Sequence, residues 1–329
     1  MFNNETKLQI ITQISLKSNL FLMHFCKTII KFMQTNILKG FLLAVLAALL
    51  WGVSGTFGQF LFQQRGINIE WMITMRMLIS GFCLLLFAKF SEKQNLFEIW
   101  KNKKDTIQLI IFSIAGMLAV QYTYFAAIKH SNAATATVLQ YSGPVMIAIY
   151  LAFKNKKLPV FLEMIAIISA VAGTVLLVTH GNLSSLSISL TALLFGIASA
   201  VALAIYTLQP VKLLSKYKPS LIIGWGMFCG GFVFSFVKAP WVIDGIWDVQ
   251  TYWYTIFIVI FGTLVPFYAY LQAVQIIGGQ KTSLLASVEP LSATVLAVLW
   301  LNVSFTTIDW IGSIFIISTV FLLSKKQRK

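Results

Sequence analysis

The chain has 329 residues, of which 58% are hydrophobic and only 11% charged, with a formal net charge of +15. A soluble domain needs roughly 25% charged residues to cover its surface, so a pair of water-soluble domains of this length is excluded. The cations lie in short clusters between apolar runs, which sets nucleic acid aside as a partner and points to a lipid bilayer.

Residues 1–36 stand apart from the rest. Lys7, Lys17, Lys27 and Lys31 interrupt every apolar stretch there, so neither a spanning helix nor a signal-peptide core fits. The segment reads as a poorly ordered or interfacial basic extension, and a start at Met33 is an equal alternative. From there apolar runs recur at the length that crosses roughly 30 Å of hydrocarbon at about 1.5 Å per residue. They predict an all-α polytopic membrane protein with ten spans, near 38–62, 71–88, 106–128, 132–153, 160–179, 187–208, 219–237, 250–274, 281–300 and 305–323. Its connections are too short for an extramembrane catalytic domain.

Charge gives the orientation. With the N-terminus inside, the flank before the first span, four connections and the tail together carry nineteen Lys and Arg. The opposite connections carry Arg65, Lys129 and Lys238, or three. That bias predicts both termini in the cytoplasm. A basic tail, 325–329, ends the chain.

Shifted by 146 residues, segment 122–178 lies on 268–324 without a gap. Tyr122 meets Tyr268, Tyr124 meets Tyr270, Leu139 meets Leu285, Pro144 meets Pro290, and Glu163 meets Asp309. Nine of the 57 positions are identical, so the argument rests on the paired mid-span prolines and the Tyr-x-Tyr pairs. The first span pairs more loosely, Leu46–Gly52 with Gly196–Ala202. Five spans per copy is an odd number, so the second copy enters the membrane inverted. Inverted repeats with a site near the midplane are a common plan of secondary transporters.

At these residues the sequence resembles the drug/metabolite transporter superfamily, in its EamA-type branch. The resemblance rests on Ala47-Ala48-Leu49-Leu50-Trp51-Gly52 with Ser54, on Met75-Arg76-Met77, on Leu139-Gln140-Tyr141 with Pro144, and on Val288-Glu289-Pro290. It covers roughly residues 38–324 and implies two EamA-like five-helix repeats, 37–180 and 187–324, around a central substrate cavity. It also implies transport, more often efflux, of amino acids, carboxylates, amines or related metabolites. Two departures weaken the subfamily assignment: Leu301-Asn302 stands where Gly-Glu is frequent, and Ser318-Thr319-Val320 where a glycine is usual.

Several residues are candidates for substrate binding or coupling. Glu289 falls about 12 Å into the ninth span at 1.5 Å per residue. An ionisable group at that depth needs a partner or a wet cavity. It reads either as a cavity carboxylate that binds a cation or coupling proton, or as a hydrogen-bonded carboxyl beside Pro290. Arg76 reads as a guanidinium snorkelling to the outer headgroups or as an anchor for a substrate carboxylate. Gln140 places an amide deep in a span. Tyr122 and Tyr268 read as interfacial or inward-pointing, and Trp51 as packing or cavity lining. Pro144 and Pro290 are static kinks or hinges, and Pro266 shares that ambiguity. Gly224, Gly226, Gly230 and Gly231 predict a tight helix crossing. Glu163 and Asp309 read as helix N-terminal anions.

Cys26, Cys83, Cys229 and the three histidines show no metal-ligand spacing, and no phosphate-binding loop or cofactor motif is present. The expected partners are a small-molecule substrate and the bilayer, with a homodimer left open. The function expected is a secondary transporter, an exporter in the first instance, of small polar metabolites across the cytoplasmic membrane. The alternatives are an integral-membrane enzyme acting on a lipid-linked substrate, which would want acidic or His clusters in the loops, and a channel.

Overall fold

The computed structural model describes residues 37–154, 156, 161–180, 188–286 and 288–324. The N-terminal extension, the basic tail and the side chains of Pro144 and Glu163 lie outside the described residues. Among the described residues, six helices are long and apolar enough to cross a membrane: α1 Ile37–Gln64, α2 Ile69–Phe90, α3 Lys103–His130, α4 Ala133–Lys154, α6 Leu190–Leu214 and α8 Val249–Ile277. Four shorter apolar helices complete the set: α5 Phe161–Thr179, α7 Pro219–Phe234, α9 Val288–Leu301 and α10 Thr307–Ser324. The protein is an all-α polytopic membrane protein.

The helix starts follow from short polar side chains that satisfy the first free backbone N–H groups. Asn68 accepts from the Trp71 amide, Asn102 from Lys104 and Asp105, Asn132 from Thr135, Ser189 from Ala192, and Asp248 from Thr251. Thr306 and Asp309 form a reciprocal capping box at the start of α10, the hydroxyl and amide of Thr306 donating to Asp309 and the Asp309 amide to Thr306. Asp309 is therefore a helix N-terminal anion as its position predicts. It also takes the ring of His180, which ties the end of α5 to the start of α10.

Two breaks and two π-helical stretches interrupt the predicted cylinders. Helix α4 opens into a turn at Tyr141–Ser142 before Gly143-Pro144. A short helix, Gly279–Leu285, precedes α9 where one continuous ninth span was expected. In both places the proline stands in the first turn of the following segment, where its missing N–H costs no intrahelical bond. Helices α3 and α8 each contain a π-helical stretch, Phe112–Leu118 and Ile260–Leu264, which nothing in the hydrophobic pattern foretells.

Small residues set the packing. Helix α2 pairs with α7, and α5 with α10. A Cβ on Gly81 would lie 2.6 Å from the Phe228 amide nitrogen, and one on Gly173 would lie 2.6 Å from the Gly312 carbonyl. The tight crossing expected of the glycines before Gly231 is thus present, against α2. Helices α3 and α4 pack on α6, and α4 on α9. Helix α1 lies against α8, with Gly40 at Ile276 and Ile277, and against α9, where a Cβ on Gly52 would overlap Ser292.

Candidate functional site

The broken helices bring their interruptions together in the middle of the bundle. Tyr141, at the turn in α4, donates to the Ala286 carbonyl, which also accepts from the Glu289 amide across the break before α9, and lies 3.1 Å from Glu289 Oε2. Glu289 is 4% exposed and fully enclosed by protein. Its neighbour Pro290 is buried in the same first turn. The carboxyl therefore has a phenolic partner from the facing helix, and its position is fixed by both breaks at once.

Arg76 does not snorkel. It is 3% exposed and turned into the bundle, which overturns the reading that its length carries it to the headgroups. Its Nε donates to Thr263 Oγ1 at 2.7 Å and its Nη2 to the Gly262 carbonyl at 3.1 Å. The guanidinium also lies 4.5 Å from the ring centre of Phe125. The cause is local. Pro266 has no N–H, so the carbonyl four residues earlier, Gly262, loses its ordinary helical donor. The π stretch widens the turn, and Arg76 supplies the missing hydrogen bond. Ser80, one turn along α2, donates to the Val259 carbonyl at 2.9 Å in the same way. Gly262 is a glycine because Ser54 of α1 occupies the place where its Cβ would stand.

Arg76 and Glu289 line one cavity. Its wall includes Trp51, Arg76, Gln140 and Glu289, so four of the six binding or coupling candidates named from the sequence converge there. Ser54 and Tyr124 join them. Tyr122 and Tyr268 do not. Tyr122 packs edge-on against Phe195 and Phe234. Tyr268 donates toward Glu92 at 3.4 Å and accepts from Gln272 at 3.2 Å. Both serve helix contacts away from the cavity.

The cavity also holds residues that sequence reasoning did not single out. Tyr206 is 1% exposed and stacks on Phe112. Its motif-free surroundings in the sixth span gave no signal. Thr263, the acceptor for Arg76, was readable in principle, since a proline at position 266 points to an orphan carbonyl beside it. Three residues that line the cavity each carry a buried polar atom with no hydrogen-bond partner among the described residues: Trp51 Nε1, Gln121 Oε1 and the Tyr206 hydroxyl. Each such atom costs roughly 1–3 kcal/mol while it stays unpaired. Among the described residues no cluster of three or more His, Cys, Asp or Glu could hold a metal ion.

The C-terminal ends of α1 and α9 and the start of α8 meet in an aromatic cluster. Phe57 stacks on Tyr254 at 4.3 Å between ring centres, and Phe60 on Trp300 at 5.5 Å. Tyr254 and Trp300 meet edge to face. Arg65 lies over Phe60 and bridges to Asp248 at 3.1 Å. Asp248 caps α8, and the hydrogen bond from the Thr251 amide, with Arg65 beside it, holds the carboxyl below its ordinary value.

Residues 38–179 and 190–325 match the EamA-like transporter family. The chain belongs to that family. It is accordingly a membrane transporter of small molecules and not an enzyme. It is 40% identical over 295 residues, 88% of this chain and 97% of the other, to a Salmonella typhimurium protein described as the uncharacterized inner membrane transporter YicL. It is 24% identical over 306 residues to the uncharacterized transporter YwfM of Bacillus subtilis, across 90% of this chain and 97% of that one. A crystal structure at 15% identity superposes with a TM-score of 0.61, covering 88% of this chain and 99% of its own, and shares the fold alone.

Proposed function

We propose that this EamA-family protein is a secondary exporter of small polar metabolites such as amino acids, carboxylates or amines. It works as a monomer or homodimer in the cytoplasmic membrane, with both termini inside. The observation that carries the reading is the cavity lined by both Glu289, bonded to Tyr141, and Arg76, bonded to the α8 π stretch. A buried carboxyl and a buried guanidinium without a mutual salt bridge are expensive in a bilayer and are kept where a ligand or coupling ion uses them.

The ten spans form two inverted repeats, 37–180 and 187–324. Two features support that plan. The π stretches of α3 and α8 overlap under the 146-residue shift, as do the breaks before Pro144 and Pro290. The contacts also exchange: α3 with α6 answers α8 with α1, while α2 with α7, α4 with α9 and α5 with α10 answer themselves. In such a plan the two copies rock about the site, and the breaks before Pro144 and Pro290 are the places where the backbone bends. The aromatic cluster around Trp300 closes the outer side.

Glu289 carries the coupling proton or meets a cationic group of the substrate. Everted vesicles supplied from the medium with panels of amino acids, carboxylates and amines test the reading, export appearing as accumulation in the lumen. In vesicles that transport one of them, Glu289→Gln keeps the volume and a hydrogen-bonding group, so it should abolish or uncouple transport and flatten its pH dependence at unchanged protein abundance. Wild-type transport with an unchanged pH profile in Glu289→Gln would refute the coupling role.

A further inference from the structure

We infer that Tyr141 is the positioning residue through which Glu289 governs the backbone. A protonated Glu289 lets Tyr141 tie the break in α4 to the break before α9, and an ionised Glu289 unties them. The inference rests on the transport reading above and names the residue through which its coupling carboxyl acts.

One hydroxyl faces two acceptors. Tyr141 donates to the Ala286 carbonyl and lies 3.1 Å from Glu289 Oε2. A phenol carries one proton, a carbonyl only accepts, and a carboxyl donates only while it is protonated. With Glu289 protonated, its O–H donates to Tyr141 Oη and the Tyr141 proton goes on to Ala286, so both contacts are hydrogen bonds. The observed pair of contacts is that of the protonated form. With Glu289 ionised, two acceptors compete for one proton. A charge-assisted hydrogen bond is roughly twice as strong as a neutral one, so the hydroxyl turns to the carboxylate and gives up the carbonyl. Ala286 then keeps only the Glu289 amide, at 2.9 Å across the break.

The places of the two partners turn that exchange into a backbone event. The Tyr141 amide bonds to the Thr137 and Val138 carbonyls at the end of the first segment of α4, so the phenol moves with the rim of that break. Ala286 follows the short helix Gly279–Leu285 and forms the rim of the other. Glu289 lines the cavity, whereas neither Tyr141 nor Ala286 belongs to its lining. A proton that reaches Glu289 from the cavity thus acts on both breaks without touching them. The other titratable groups turned toward Glu289 are Tyr124 of α3 and Tyr270 of α8, and Arg76 of α2 lines the same cavity. Helix α1, packed on the first turn of α9 through Gly52, brings Trp51 and Ser54, neither of which titrates. Tyr124 bonds to Thr137 at 2.8 Å, Tyr270 to Thr207 at 3.4 Å and Arg76 to Thr263, so among these groups Tyr141 is the one bonded to the carboxyl.

The test is hydrogen exchange of the purified full-length protein in detergent, read by mass spectrometry in peptides that contain the Glu289 amide and corrected for the intrinsic rate. It spans about pH 5 to pH 9, wide enough for a buried carboxyl to titrate. Wild-type protection should fall about five-fold as pH rises, the scale of one hydrogen bond. Tyr141→Phe should show the lower protection at every pH. Glu289→Gln should show the higher protection at every pH, because its side-chain amide donates to Tyr141 Oη as the protonated carboxyl does. A Tyr141 that only packs would leave the pH dependence in place in Tyr141→Phe. If that variant fails to fold, 4-fluorophenylalanine at position 141 fills the place of the hydroxyl with an atom that cannot donate. Flat wild-type protection, or pH dependence that survives in the Tyr141 or Glu289 variant, overturns the inference. The exchange pattern together with transport that ignores Glu289→Gln supports the tie and sinks the coupling reading. Proton-coupled transport with flat protection at Glu289 leaves the exporter standing and sinks the tie.

Discussion

Replacing Thr263 with valine keeps the shape of the side chain and takes away the acceptor for Arg76 Nε. The lost contact, at 2.7 Å, is a hydrogen bond to a charged group inside the bundle. Such bonds are worth roughly 1.5–3 kcal/mol in soluble proteins, whereas interhelical bonds in membranes average about 0.6 and reach about 1.7 kcal/mol. An interaction energy of about 1–2 kcal/mol between positions 76 and 263 is the expected result. Thr263 also donates to the Ile258 carbonyl at 2.7 Å, so the single variant loses more than the Arg76 contact. A double-mutant cycle of Thr263→Val with Arg76→Gln isolates the shared part. Reversible unfolding in mixed detergent, followed by tryptophan fluorescence, measures it. A third variant checks the cause. Pro266→Ala restores an N–H that can close on the Gly262 carbonyl, so Arg76→Gln should cost about 1 kcal/mol less in that background. Additivity of Arg76→Gln and Thr263→Val within about 0.3–0.5 kcal/mol, or an Arg76→Gln penalty unchanged by Pro266→Ala, would falsify the account of Arg76 as the donor that replaces the missing amide.

Single cysteines near Asn68 and Trp247 should react with an impermeant thiol reagent from outside, and those near Lys103 and Lys156 should not; the reverse pattern would show the topology upside down. Trp300→Ala removes three ring pairs, worth about 0.5–1.5 kcal/mol each, from the outer aromatic cluster. It should raise passive leak of small solutes in proteoliposomes, and an unchanged leak would mean the cluster is not a seal. Gly52→Val should sharply lower the yield of folded protein, because a side chain there meets Ser292 and the Glu289 carbonyl; overpacking of this kind costs about 1–3 kcal/mol. Asp248 has its carboxyl depressed in the native state, so its contribution exists above the ordinary value of 3.8 and is lost as pH falls through the native one. Its cap on Thr251 and its bridge to Arg65 should therefore hold from pH 8 to pH 5 and open only below about pH 4. Hydrogen exchange of the Thr251 amide, corrected for its intrinsic rate, reads this directly, and loosening already at pH 6 would contradict it.

Much of the architecture is legible in one dimension because a bilayer imposes it there. Backbone groups in hydrocarbon must find partners inside the protein, and a helix supplies nearly all of them itself, so apolar runs become helices. The described boundaries fall within a few residues of the expected spans, as with α2 over Ile69–Phe90 against 71–88. Depth along a span is equally a property of sequence, which is why Glu289 could be picked out before any contact was known. The two prolines marked the breaks for the same reason, since a missing N–H acts locally.

The direction in which a side chain points around its helix was not legible, because it depends on which neighbour fills the groove. Arg76 has the reach to meet headgroups or the bundle. Only the carbonyl freed by Pro266, 190 positions away in the chain, decides for the bundle. Tyr122 and Tyr124 differ by two positions, yet Tyr124 meets Thr137 at the cavity while Tyr122 packs on Phe195 and Phe234 outside it. The sequence by itself determined the membrane, the helices, the breaks and the depth of the charges. The tertiary structure alone decided which polar atoms share a cavity, because that follows from close approach at Gly52, Gly81 and Gly262, where a missing Cβ permits contact but does not say with what.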